Sequence, residues 1–228
     1  MSLWQETLAW FVASDTWSGP GSVPQRLLEH LAITAGVLGL AAAIALPIGI
    51  FIGHRRTGGG IVVVLAGAAR AIPTLGLLTI LGLALGIGLG APIIALVILA
   101  IPPILAGAYS GIAATDVVTV DAARAVGLSE SQIVRSVELP LALPVILGGV
   151  RSATLQVVAT ATLAAYTADA GLGRYIFTGL KSRDYGELIG GSLIVIVLAV
   201  CLDSIFGLIA RRTTRSSLPK KSHTKRNQ

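Results

Sequence analysis

Cysteine occurs once in these 228 residues, as Cys201 inside an apolar run, which excludes a disulfide framework and a thiolate metal site. The three histidines, His30, His54 and His223, are too scattered in sequence for a metal site or a catalytic dyad, and no metal is expected. No Gly-x4-Gly-Lys-Ser/Thr loop is present, so the chain has no such device for cradling ATP phosphates. The serines lack a neighbouring His/Asp partner set, and no catalytic residue is assigned. Aromatics are only 5% and charged residues only 12%, against 54% hydrophobic and a mean hydropathy of +0.84. A soluble globule of that composition could not cover its surface with polar atoms, so the solvent for most of this chain is lipid. Between Ile61 and Thr115 the one charge is Arg70. The net charge of +6 comes from residues 211–228, which carry seven Lys/Arg and no acid; the remainder has ten cations against eleven acids. Nucleic-acid binding therefore has little support.

A bilayer core of about 30 Å takes about 20 apolar helical residues per crossing. On that measure the sequence predicts five spans. The first covers residues 31–53 and is too long for a cleavable signal peptide. The second, 61–89, reads as one helix kinked near Pro73 that loosens at Gly86, Gly88 and Gly90. The others are 93–114, with Pro102-Pro103, then 141–168 and 188–210. Five crossings put the termini on opposite sides. An external N-terminus places eleven Lys/Arg inside (Arg55, Arg56, Arg124, Arg135 and the seven of the tail) against Arg26, Arg174, Lys181 and Arg183 outside. The division is then an external interfacial segment 1–26 anchored by Trp4, Trp10 and Trp17, a membrane domain 27–212, and a disordered basic tail 213–228. With 27 glycines, close packing through small residues is expected to hold the helices together, at Gly36 and at the Gly49/Gly53 pair.

One stretch breaks the apolar monotony. Residues 116–140 carry six charges of mixed sign and read as two short helices joined at Gly127. Ser129 and Gln132 have the spacing of a capping box that starts the second helix. Ile133, Val134 and Val137 then share one face, while Glu130, Gln132, Arg135 and Glu138 take the others, and Leu139-Pro140 ends the helix and turns the chain back into the membrane. A loop this long with its own amphipathic structure exceeds what a connector needs. An interfacial helix packed on its own bundle is the alternative.

The spacing Asp121-Ala122-Ala123, three residues, Gly127, nine residues, Val137-Glu138-Leu139-Pro140 resembles the EAA loop of ABC-importer permeases, Glu-Ala-Ala-x3-Gly-x9-Ile-x-Leu-Pro, with Asp for Glu and Val for Ile. The run from Arg70 through Pro73 and Thr74 to Leu78 is similar to the second-helix signature of the osmoprotectant subfamily, whose members often carry Gln where this chain has Arg70. Gly148 to Ala153 and Ala170 to Gly173 resemble that subfamily too, and the likeness spans residues 25–212. It implies an all-α, type I importer permease in a bacterial cell membrane, importing glycine betaine, choline or carnitine. In that family the loop is a coupling helix that docks on a separate ATPase, which binds ATP-Mg. The resemblance thus assigns coupling to Asp121, Ala122, Ala123, Gly127, Leu139 and Pro140. It also implies a second permease copy or homologue, a separate solute-binding protein, and no cofactor on this chain.

Two further expectations concern charge within the membrane. Arg70, Arg151 and Asp203 lie about 12–17 Å from the cytoplasmic ends of their spans, at 1.5 Å per residue, so they can share a layer. An isolated charge there is costly. Arg151 and Asp203 are therefore expected to pair, joining the fourth and fifth helices, while Arg70, Pro73 and Thr74 face the pathway. The segment 169–187, with Gly171, Gly173 and Gly179, is expected as a bent, partly re-entrant stretch on the external side. An amino-acid or methionine ABC permease is the nearest competing function. A secondary transporter wants an inverted repeat and ion-carrying groups that the sequence does not display.

Overall fold

The computed structural model describes residues 2–216, and among them every regular element is helical. At the N-terminus α1 (Leu3–Val12) and the single turn α2 (Ser14–Trp17) precede the long α3 (Val23–His54). Next come two short apolar helices, α4 (Gly59–Ala71) and α5 (Thr74–Leu85), and then α6 (Gly90–Ala113). The loop region contributes α7 (Val117–Ala125) and α8 (Glu130–Ile133). A π-helical turn at Val134–Glu138 leads into α9 (Leu139–Thr160), which tightens to a 3-10 turn at Ala161–Tyr166. The chain closes with α10 (Gly173–Ser182) and α11 (Tyr185–Ser216).

Among the described residues four helical stretches are long and apolar enough to cross a membrane: Val23–His54, Gly90–Ala113, Glu130–Tyr166 and Tyr185–Ala210. The second predicted span is a pair of helices instead of one kinked helix. Ile72 (φ −70°, ψ 119°) and Pro73 (φ −69°, ψ 103°) are both extended. The proline ring drives the residue before it out of the helical region and offers no N–H of its own, so the ladder stops completely. At about 1.5 Å per residue, α4 and α5 are each close to 20 Å long, and only in tandem do they reach bilayer thickness.

Three helices make the core. α6 is central, with 61% of its apolar stretch buried, and it packs between α3 and α9. Val37, Ala41 and Ala45 of α3, Leu96, Ala100 and Ile104 of α6, and Ala153 and Val157 of α9 meet there. Small residues set the approach. A Cβ on Gly49 would lie 2.6 Å from the Ala108 Cβ, one on Gly53 2.9 Å from that of Ile112, and one on Gly107 2.8 Å from the Gly149 Cα. Gly36, expected to pack likewise, has open space around it. α11 lies at the edge, with only 6% of its apolar stretch buried.

The end of the bundle opposite the two-helix loop is tied by polar contacts. Arg26, expected on the external side, is buried at 8% exposure. It donates to the Asp169 carbonyl (2.7 Å), Asp169 Oδ1 (2.9 Å) and Glu29 Oε2 (2.9 Å), while Glu29 accepts from the Gly171 amide at 2.9 Å. The bent stretch after residue 169 therefore exists, but most of it is a helix, α10, whose Gly179 sits against the Asp184 carbonyl and Leu188 of α11. Tyr175 donates to the Gly21 carbonyl at 2.6 Å, and burial pushes its phenol up to about 12. Trp10 packs on Gly190 and edge-on to Tyr175 at 5.3 Å, whereas Trp4 and Trp17 are exposed as anchors would be. α11 runs to Ser216, four residues into the predicted tail, and the tail beyond lies outside the described residues.

Candidate functional site

The loop begins where α6 ends at Ala113. The Asp116 side chain caps α7 by accepting from the Val118 amide at 3.2 Å. α7 stops at Gly127, whose φ of 87° places it in the left-handed region that non-glycine residues avoid. There the Gly127 amide bonds the Arg124 carbonyl and the Leu128 amide bonds the Ala123 carbonyl. The capping box follows as its spacing predicted, with the Ser129 amide donating to Gln132 Oε1 at 2.8 Å. Two short helices at an angle would ordinarily be marginal. These share a small core of their own, made by Val120, Ala123 and Ile133 with Leu128 and Val137.

Three details differ from the sequence expectation. Leu139-Pro140 does not end the second helix: the chain passes through the π turn directly into α9. A proline ring clashes with the carbonyl four residues back, here Ser136, and the wider turn moves that carbonyl aside. Ala123 is buried inside the loop, so of the two alanines only Ala122 faces out. Glu138, assigned to a polar face, is 1% exposed.

The outward surface combines apolar and charged groups. Val118 and Val126 are 72% and 76% exposed and flank Ala122. Beside them Arg124 bridges two carboxylates, with Nε 2.8 Å from Glu130 Oε1 and Nη1 3.0 Å from Asp121 Oδ1. The hydrogen bonds to Glu130 and Asp121 hold the Arg124 guanidinium above its ordinary value. The inward surface is pinned to the bundle. His54, the last residue of α3, places Nδ1 2.8 Å from Glu138 Oε2 and Nε2 3.0 Å from Glu130 Oε2, and Arg56 donates to the Thr115 carbonyl. Sequence reading missed His54, Glu138, Val118 and Val126. The outward valines could be found from the helical period of α7, but the His54–Glu138 contact joins residues 84 apart and leaves no local signal.

Elsewhere the predicted residues fall as follows. Arg151 and Asp203 meet in a bidentate pair, Nε to Oδ1 and Nη2 to Oδ2, both 2.7 Å. It joins α9 to α11, but on the outer surface of the chain: the side chains are 40% and 36% exposed. Pro73 is exposed at the break between α4 and α5. Thr74, beside it, lines a small hollow with Leu78, Pro92, Ala95 and Thr160. The side chain of Arg70 lies outside the described residues.

An all-helical membrane bundle with a pinned, outward-facing two-helix loop has known counterparts. The profile of binding-protein-dependent transport system inner membrane components matches residues 45–215. The chain belongs to that family. Among curated relatives, the choline transport system permease protein OpuBB of Bacillus subtilis is 30% identical over 88% of this chain and 92% of its own. The glycine betaine/carnitine/choline transport system permease protein OpuCB of the same organism is 32% identical over 87% and 91%. The permease also shares its fold with a chain of the inward-facing MetNI methionine ABC transporter, at a TM-score of 0.70 and 24% identity over 94% of this chain and all of that one. This permease is thus an inner-membrane component with the fold of type I ABC importers.

Proposed function

We propose that this permease carries a small quaternary ammonium osmoprotectant, of the glycine betaine, choline or carnitine class, across the bacterial cell membrane. In this reading a separate ATPase docks on residues 116–140 and hydrolyses ATP-Mg, and a separate solute-binding protein delivers the solute at the opposite face. The observation that carries the mechanism is the loop itself. It holds an apolar patch around Ala122, Val118 and Val126 and a charged rim at Asp121, Arg124 and Glu130, as an interface core and rim require, and its inner side is fastened to the bundle. The solute class rests on the relatives named for choline, betaine and carnitine, at 30–32% identity over most of both chains. A second copy or homologue completes the pathway. The half-exposed Arg151–Asp203 pair and the bare flank of α11 support this, since a charge pair at that depth wants cover other than lipid. Thr74, Pro73 and Arg70 are assigned to the pathway, by the break in the helix ladder beside the hollow.

The test is uptake by vesicles containing the permease with its ATPase and solute-binding protein, supplied with labelled glycine betaine, choline and carnitine. ATP-dependent accumulation of one of these is expected, with the ATPase co-purifying in detergent. Transport by this chain alone, driven by an ion gradient, overturns the importer reading. Accumulation of methionine or another amino acid in place of the ammonium solutes overturns the substrate class only.

A further inference from the structure

His54 occupies a position that the docking surface does not explain. It closes α3, the longest helix of the core, and its ring lies between two carboxylates from the second loop helix, one at each end. Glu130 opens α8 and Glu138 closes the π turn, and the ring nitrogens reach them at 3.0 Å and 2.8 Å. The His54 side chain is 13% exposed and that of Glu138 2%, so the inner contact is shielded from water while the outer one, at Glu130, is half open. Glu130 is in turn held by Arg124, and Arg124 by Asp121, so one continuous run of charged groups leads from the outward loop surface to the end of α3.

We propose that His54 is a positioning residue for coupling, clamping both ends of the second loop helix to α3 so that force applied to the loop reaches the membrane bundle through this ring. The proposal rests on the importer reading for its consequence, though the clamp itself is a property of this chain alone. The chemistry of imidazole makes the clamp conditional. A neutral ring carries one N–H and can serve only one carboxylate as a donor; the protonated ring presents an N–H to each and a positive charge between them. Among the described residues, the groups facing the ring from packed elements are few. Glu130 and Glu138 come from the loop, with Arg124 and Asp121 behind Glu130 and Arg135 three residues before Glu138. On its own side Arg55 lies over the Phe51 ring at 5.4 Å and Arg56 is bonded to the Thr115 carbonyl, while α6 contains no charged residue.

Two readouts test this, one independent of transport. In the purified permease, hydrogen exchange of the amides of residues 130–138 should accelerate about tenfold in His54→Phe, the loss of a charge-assisted hydrogen bond in a sheltered site. His54→Lys, which keeps a cationic donor, should restore protection. In vesicles with the ATPase, His54→Phe should lower glycine betaine moved per ATP hydrolysed about tenfold, without a matching fall in hydrolysis. His54→Lys should restore the ratio. Equal exchange in wild type and His54→Phe, or a transport ratio in His54→Phe equal to wild type, overturns the clamp. Normal clamp behaviour in exchange, in a permease that recruits no ATPase, supports the clamp and overturns the importer reading instead.

Discussion

Gly127 is the residue on which the geometry of the loop turns. Its φ of 87° costs a side-chain-bearing residue about 1–2 kcal/mol, yet a Cβ there would meet nothing within 4 Å. Gly127→Ala should therefore lower stability by about that amount and leave the loop in place. Gly127→Trp adds the same strain and far more bulk at the turn between the two loop helices, so it should insert and assemble as a membrane protein but lose coupling; unimpaired uptake by a normally expressed Gly127→Trp complex would count decisively against docking at this turn. Asp121→Ala should do less, because one exposed rim charge contributes little. The Arg151–Asp203 pair offers a second residue-scale test. Removing either partner leaves a charge at membrane depth without its counter-ion. Each single alanine variant should lower detergent thermal stability, and the double variant should be less damaged than the two effects added. Strict additivity would show that the bidentate contact does not couple the two helices.

At the scale of elements, glycine separates seams from surfaces. Gly49 and Gly36 lie on the same helix, yet only Gly49 touches α6. Gly49→Val forces a methyl into the Ala108 Cβ and the Leu105 carbonyl and should cost about 1–3 kcal/mol by overpacking, whereas Gly36→Val should change the stability of the chain little. A thermal-unfolding comparison in detergent reads the difference. The same contrast explains what the sequence made legible. Hydropathy located the long helices because lipid forces apolar runs of fixed length, and the capping box and Gly127 marked the loop because each depends on residues within three positions of each other. Pro73 marked the right place but not the outcome, since whether a proline kinks or breaks a helix depends on what packs against it. The helix α10 was missed because its glycines read as a bend, while the close approach of Gly179 to Asp184 and Leu188 is set by tertiary packing. His54 and Arg26 were hidden for the same reason. Their partners, Glu138 and Asp169, come from distant parts of the chain.

For the whole molecule the polar fastenings sit mainly at the two ends of the bundle, with apolar packing between and the Arg151–Asp203 pair joining α9 to α11 on the outer surface. At one end Arg26 and Glu29 hold the 169–171 turn; at the other, His54 and Arg56 hold the loop. The distribution of Lys and Arg then orients the whole: eleven belong to the loop end against four at the other, the excess being the seven of residues 211–228, so the loop end should face the cytoplasm, and α10 with its Lys181 should face outward. The orientation matters mechanically, because an ATPase can press only on the cytoplasmic end and a solute-binding protein can dock only on the other. Impermeant thiol labelling of whole cells measures it directly. With Cys201 changed to Ser, Lys181→Cys should react in intact cells, since its helix is amphipathic and lies at the surface. Thr119→Cys, on the exposed side of α7, should react only after the membrane is permeabilised. The reverse pattern would place the loop outside, where no ATP-driven partner could reach it, and the importer mechanism would fall with the topology.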